Sequence, residues 1–246
     1  MPSSTLSDLW QQVTGTQPLP PTGVVLACAG LAGSAVLVRD VWRLARNVVT
    51  IAHEGGHALV AVLVGRRLDG IRLHSDTSGV TLSRGRSTGP GMVATGLAGY
   101  LAPSLVGLSF AALLAAGRIT ALLWVSIALL AGMLVSVRNA YGVAAILVTG
   151  LGVFAVSWFA AAGVQAVFAF FFTWFLLLAA LRPVVELQRL RRRGYGRGSD
   201  ADQLARVTGV PGLVWVLLFG LVSLAALALA GYWLVPLTDL PVPTSG

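Results

Sequence analysis

The chain is 246 residues long, 56% hydrophobic and 11% charged, with a mean hydropathy of +0.83. A soluble domain carries roughly 25% charged residues, so the composition excludes that class and indicates an all-α polytopic membrane protein. The net charge of +8 comes entirely from Arg, with no Lys among the 17 basic residues. No aromatic–basic recognition pattern accompanies them, which argues against a nucleic-acid partner and leaves membrane topology as their reason.

Residues 1–21 lack a basic n-region and contain Asp8 and the Pro-rich stretch Pro18 to Pro21. They are therefore not expected to be a signal peptide, and the first apolar run should be a retained span. Its Cys28 is the single cysteine, so no intrachain disulfide can form. Apolar windows of about 18 residues or more predict helices near 22–38, 43–65, 91–117, 119–137, 143–161, 163–181 and 211–235. The expected architecture is a single integral-membrane domain over 1–246 with about seven transmembrane helices. Between 119 and 161, Arg138 and Asn139 are the one clear interruption.

Two connections are polar. In residues 69–86, Ile71 and Leu73 alternate with polar residues, as do Val80 and Leu82, around the turn-forming Ser75-Asp76-Thr77-Ser78-Gly79. This pattern predicts a small β-hairpin. Residues 182–210 are basic at first and helix-like from Ser199 onward, with Pro211 opening the last span. With seven spans, thirteen arginines, from Arg66 to Arg206, share a side with both polar connections, against four on the other: Arg39, Arg43, Arg46 and Arg118. The bias predicts a cytoplasmic hairpin and 182–210 segment, a cytoplasmic N-terminus and an outer C-terminus, with Arg39, Arg43 and Arg46 snorkelling at the outer interface.

Within the second apolar run stands His53-Glu54-Gly55-Gly56-His57. It gathers two of three His and one of two Glu in the chain. Two His at i and i+4 project from one helix face, and the intervening Glu completes a zinc-hydrolase pattern. A catalytic zinc takes three protein ligands and keeps one position for water. His53 and His57 would be two of them, with one zinc per chain. Glu54 would act as general base, taking a proton from the activated water and passing it to the leaving amine. Gly55 and Gly56 cost about 1 kcal/mol each in helix propensity relative to Ala, which suggests a close approach of backbone, substrate or metal. His74 belongs to the hairpin and carries no assigned role. Gly96, Gly99 and Gly107 read as packing positions on the third span, and Phe168, Phe170, Phe171, Phe172 and Trp174 as lipid-facing or core residues.

HEGGH in a transmembrane helix, then a short β-segment, then the Gly-rich span Ala98-Gly99-Tyr100-Leu101-Ala102-Pro103-Ser104, resembles the site-2-protease-like intramembrane metallopeptidases. The core of the resemblance covers residues 41–145. Gly198-Ser199-Asp200-Ala201-Asp202-Gln203-Leu204-Ala205 and Trp215 are similar to the compact "peptidase B-like" branch. The resemblance implies a zinc-dependent protease, in a bacterial cell membrane, that cleaves transmembrane polypeptide substrates at or within the lipid bilayer near the cytoplasmic face. The hairpin could hold an unwound substrate segment by main-chain hydrogen bonds, or could be a plain connector.

The chain departs from that family at the third ligand. Better-known members use an Asp in an Asn-Pro-Asp-Gly-type turn; the matching stretch here is Asn139-Ala140-Tyr141-Gly142, with Tyr in the Asp position. Asp200, Asp202 or the amide oxygen of Asn139 could replace it, and Asp200 is the first choice. Ser199-Asp200 is equally an ordinary helix N-cap signature. The Tyr also keeps open a catalytically inactive homologue serving as a membrane scaffold or partner-binding protein.

Overall fold

The computed structural model describes residues 15–195 and 198–235. Residues 1–14, part of the stretch weighed as a signal peptide, and Arg197, counted among the cytoplasmic arginines, lie outside them. The described elements run α1 (Thr22–Leu37), α2 (Arg39–Leu63), β1 (Arg67–Leu73), β2 (Gly79–Arg84), α3 (Pro90–Ala115), α4 (Ile119–Ser136), α5 (Ala140–Phe159), α6 (Ala162–Ala179), α7 (Leu181–Arg192), α8 (Asp200–Thr208) and α9 (Gly212–Leu234).

All seven apolar helices expected from the sequence form, but they do not all cross a membrane as separate spans. Five helices are long and apolar enough to cross: α3, α4, α5, α6 continued by α7, and α9. Helices α1 and α2 are bent by 101° at Val38 and qualify only as one broken span or re-entrant pair, for a total of up to six. Two features explain this: α1 has only 16 residues, and the first turns of α2 carry Arg39, Asp40, Arg43 and Arg46, with its polar and apolar residues segregated to opposite faces.

The ends of α1 fix how the chain enters. Gln17 N donates to Gly117 O (2.8 Å), beside the α3–α4 turn. At the other end of α1, Arg182 of α7 donates to the carbonyl of Val36 and lies over the Trp42 ring, 4.6 Å from its centroid. Arg46 meets Glu186 of α7 at 3.6 Å. It therefore lies on the side of Arg182, not at the opposite interface expected for it. A six-span path also returns the chain to the side from which it entered.

The largest core joins α1, α3, α4 and α6 through Phe110, Leu114, Leu122, Phe170 and Leu177. Gly107 belongs to that packing, since a Cβ there would meet Leu177 N at 3.2 Å. A separate cluster of Val184, Leu187, Ala201, Leu204, Val216 and Phe219 binds α7, α8 and α9 to Val93, Leu97 and Tyr100 of α3. Full burial of a residue such as Leu204 is worth about 2 kcal/mol, so this cluster anchors the nine-residue α8, which is too short to persist alone.

The expected hairpin is present. β1 pairs antiparallel with β2 from Arg67↔Arg84 to Leu73↔Gly79, with a bulge between Leu68 and Gly70. The period of two sends Ile71 and Leu73 into the core, while Val80 and Leu82 face outward and Thr81 between them faces α2. The other edge of β1 is occupied: Arg138 N donates to Ile71 O (2.9 Å), and Asn139 brackets Leu73 with Oδ1 accepting from its N–H (3.2 Å) and Nδ2 donating to its carbonyl (2.6 Å). The outer edge of β2 has no strand partner among the described residues.

Candidate metal centre

Three side chains from distant parts of the chain converge. His53 Nε2, His57 Nε2 and Asp200 Oδ2 form a triangle with all three sides at 3.2 Å. The histidines stand one turn apart on α2, and the carboxylate arrives from the first residue of α8. Ligands about 2.0–2.1 Å from a tetrahedral zinc are spaced about 3.3 Å apart, so the triangle has the size of one face of such a site. Two nitrogens and a carboxylate oxygen are also a donor set that zinc accepts.

The hydrogen bond beyond the triangle supports that use. His57 Nδ1 lies 2.7 Å from the carbonyl oxygen of Thr95, which can only accept, so Nδ1 carries the proton and Nε2 presents its lone pair.

The helix-cap signature at 199–200 resolves residue by residue. Ser199 is the cap, accepting from Asp202 N at 3.4 Å, and this leaves the Asp200 carboxylate free for the histidines. Asp202 forms an ion pair with Arg191 of α7. Asn139 is committed to Leu73, and Tyr141 Oη donates to Asn47 Oδ1 at 3.3 Å. Neither Asp202 nor Asn139 belongs to the triangle, so of the three candidates for a third ligand only Asp200 is in place.

Glu54 is 5% exposed and points toward the hairpin. Thr81 Oγ1 donates to its Oε2 at 2.7 Å and to its main-chain carbonyl at 3.1 Å. Gly79 permits that contact, because a Cβ there would lie 2.6 Å from Glu54 Cγ. Thr77 at the hairpin tip has φ +67°, a left-handed conformation costing a side-chain-bearing residue about 1–2 kcal/mol, and its carbonyl accepts from Thr50 Oγ1 of α2 at 2.8 Å. Thr50, Thr77 and Gly79 wall a cavity of about 210 Å³ that reaches His53, Glu54, Arg46 and Tyr100.

The glycines of HEGGH are explained by close approach, as the sequence suggested. A Cβ on Gly56 would sit 2.7 Å from Ala98 O, and one on Gly55 3.0 Å from Met133 Sδ. Gly96 faces Leu204 of α8, again at 3.0 Å, and is a packing position. Gly99 is not merely that. A Cβ there would collide with His57 Nε2 and approach His53 Nε2 to 2.6 Å. Sequence reasoning missed Gly99, Thr81 and the Thr95 carbonyl as parts of the site. The small-residue spacing on α3 was visible, but which of its glycines faced the histidines was not.

Comparison with known proteins gives one finding. The family model described as Peptidase M50B-like matches residues 25–230, more than four fifths of the chain, and takes in the histidine pair, the hairpin and Asp200. No curated protein and no solved structure matches the chain significantly.

Proposed function

The chain belongs to the Peptidase M50B-like family of membrane proteins, and from that premise we propose that it is a zinc-dependent intramembrane protease acting on membrane-embedded polypeptides near the cytoplasmic face. The observation that carries the reading is the triangle of His53, His57 and Asp200 beside the buried Glu54. His53, His57 and Asp200 would hold one zinc, which when bound supplies a Lewis acid able to make water nucleophilic near neutral pH. Glu54, oriented by Thr81, accepts a proton from the attacking water and delivers it to the leaving nitrogen. The unpaired outer edge of β2 stands next to that base and offers main-chain donors and acceptors to an extended substrate segment. A helical substrate hides its carbonyls, so such pairing would also prepare the bond for attack.

What supports activity over an inactive scaffold is that the ligand missing at Tyr141 has a replacement in Asp200. Orientation follows from the arginines. The hairpin, α7 and α8 carry most of them and are assigned to the cytoplasmic side. If the bent α1–α2 pair is counted as one span, the start of α1 and the end of α9 would share the outer side, whereas seven spans imply a cytoplasmic N-terminus.

The test uses purified protein and a tethered transmembrane substrate in detergent or vesicles. Cleavage should stop on chelation and return with stoichiometric zinc; cleavage that persists in metal-free protein would refute the assignment. Gly99→Ala should give the same loss without a chelator. Its methyl group occupies the space of the imidazole Nε2 atoms, so zinc content should fall at least about tenfold while helix content by circular dichroism is kept. Zinc at the wild-type level in Gly99→Ala would count against the ligand geometry.

A further inference from the structure

Of the hydroxyl groups lining the cavity beside the triangle, one is uncommitted. Thr50 donates to Thr77 O (2.8 Å), Thr77 to Asp76 O (2.5 Å) and Ser78 to Asp76 Oδ1 (2.6 Å). Trp42 Nε1 is sealed in the core, and Arg46 is held by Glu186 at 3.6 Å, two turns of α2 before His53. Tyr100, in contrast, lines the cavity with His53 and Glu54, and its contacts with the described residues are ring contacts that leave the hydroxyl without an acceptor among them.

Its ring is fixed on two sides. It stacks on the fully buried Phe219 (centroids 4.8 Å apart, planes 11° apart) and meets the His53 ring edge-on (4.8 Å, 85°). An oriented, unsatisfied donor beside a ligand and the base is what stabilisation of developing charge requires, because the donor need not reorganise during the reaction.

We propose that Tyr100 is a catalytic residue whose phenol donates a hydrogen bond to the carbonyl oxygen of the scissile peptide as that oxygen gains negative charge. The proposal rests on the reading of the chain as a peptidase. In the step, the oxygen of water bonds to the carbonyl carbon and Glu54 takes a proton from it. The carbon–nitrogen bond then breaks and the nitrogen receives that proton. Tyr100 keeps its own proton throughout.

Tyr100→Phe preserves the ring contacts and removes only the donor. It should lower kcat about 100-fold with KM changed less than about threefold, at unchanged zinc content. Affinity for a phosphinic peptide resembling the tetrahedral transition state should fall by about the same factor as kcat. A wild-type kcat in this variant overturns the proposal, as does a loss of zinc in step with the loss of rate, which marks a structural role. Protein with 3-fluorotyrosine at position 100 keeps the hydroxyl and should retain cleavage within about tenfold of wild type; a rate as low as that of Tyr100→Phe overturns the proposal. Glu54→Gln measured alongside separates the two levels. If it cleaves like wild type, the peptidase reading falls; if it is inert while Tyr100→Phe is fully active, the Tyr100 proposal falls alone.

Discussion

Glu54→Gln is expected to lower kcat for a tethered transmembrane substrate at least about 1,000-fold, within the range of about 100- to 10,000-fold for loss of a general base, with zinc still at one per chain. The carboxylate is nearly sealed from solvent by the hairpin, and its Oε2 accepts a 2.7 Å hydrogen bond from Thr81. Gln has the same shape and can keep that bond through its amide oxygen, so the base is removed with little change in packing. Because Glu54 is not a corner of the triangle, metal retention and loss of cleavage should separate cleanly. Turnover within tenfold of wild type would sink the proposed mechanism. Loss of zinc together with turnover would instead place Glu54 among the groups that hold the metal.

Asp200→Asn should abolish cleavage by a different route. Removing partners that merely orient zinc ligands costs about 10- to 100-fold in metal affinity, so losing a charged ligand should cost at least about 100-fold. Asn keeps the length of the side chain and leaves Ser199 as the helix cap, so α8 should remain docked through Ala201 and Leu204. The matched comparison is Asp202→Asn, which breaks the ion pair with Arg191 but touches neither histidine. Zinc content measured on both variants decides the matter. Asp200→Asn should be depleted and Asp202→Asn should stay near one zinc per chain. Equal depletion would mean that docking of α8, and not a particular carboxylate, governs the centre.

These two expectations differ in how far the sequence alone could reach them. His53, Glu54 and His57 lie within five consecutive positions of one helix, so their relative placement follows from helical geometry. The hairpin was equally legible, because alternation around Ser75–Gly79 is a local pattern. The α1–α2 bend was less so. Hydropathy windows register apolar length but not direction, and a charged first turn in α2 turned an expected span into half of a bent pair.

Asp200, the third corner of the triangle, lies 143 residues beyond His57, and no local pattern connects them. Ser199-Asp200 reads as a cap whether or not its carboxylate meets a metal. The choice of Asp200 over Asp202 depends on which side of a short helix faces α3, and that was decided by the burial of Ala201 and Leu204 and the pairing of Asp202 with Arg191. Gly99 has the same history: it looked like its neighbours Gly96 and Gly107 until the packing of α2 on α3 put it against both imidazoles. By itself, then, the sequence determined the membrane class, the helices, the hairpin and the residues of the HEGGH turn, because each depends on composition or on contacts within a few residues. Only the tertiary structure decided the third corner of the triangle, the partner of Glu54 and the glycine beside the histidines. Those contacts join segments far apart in the chain and depend on how whole helices pack.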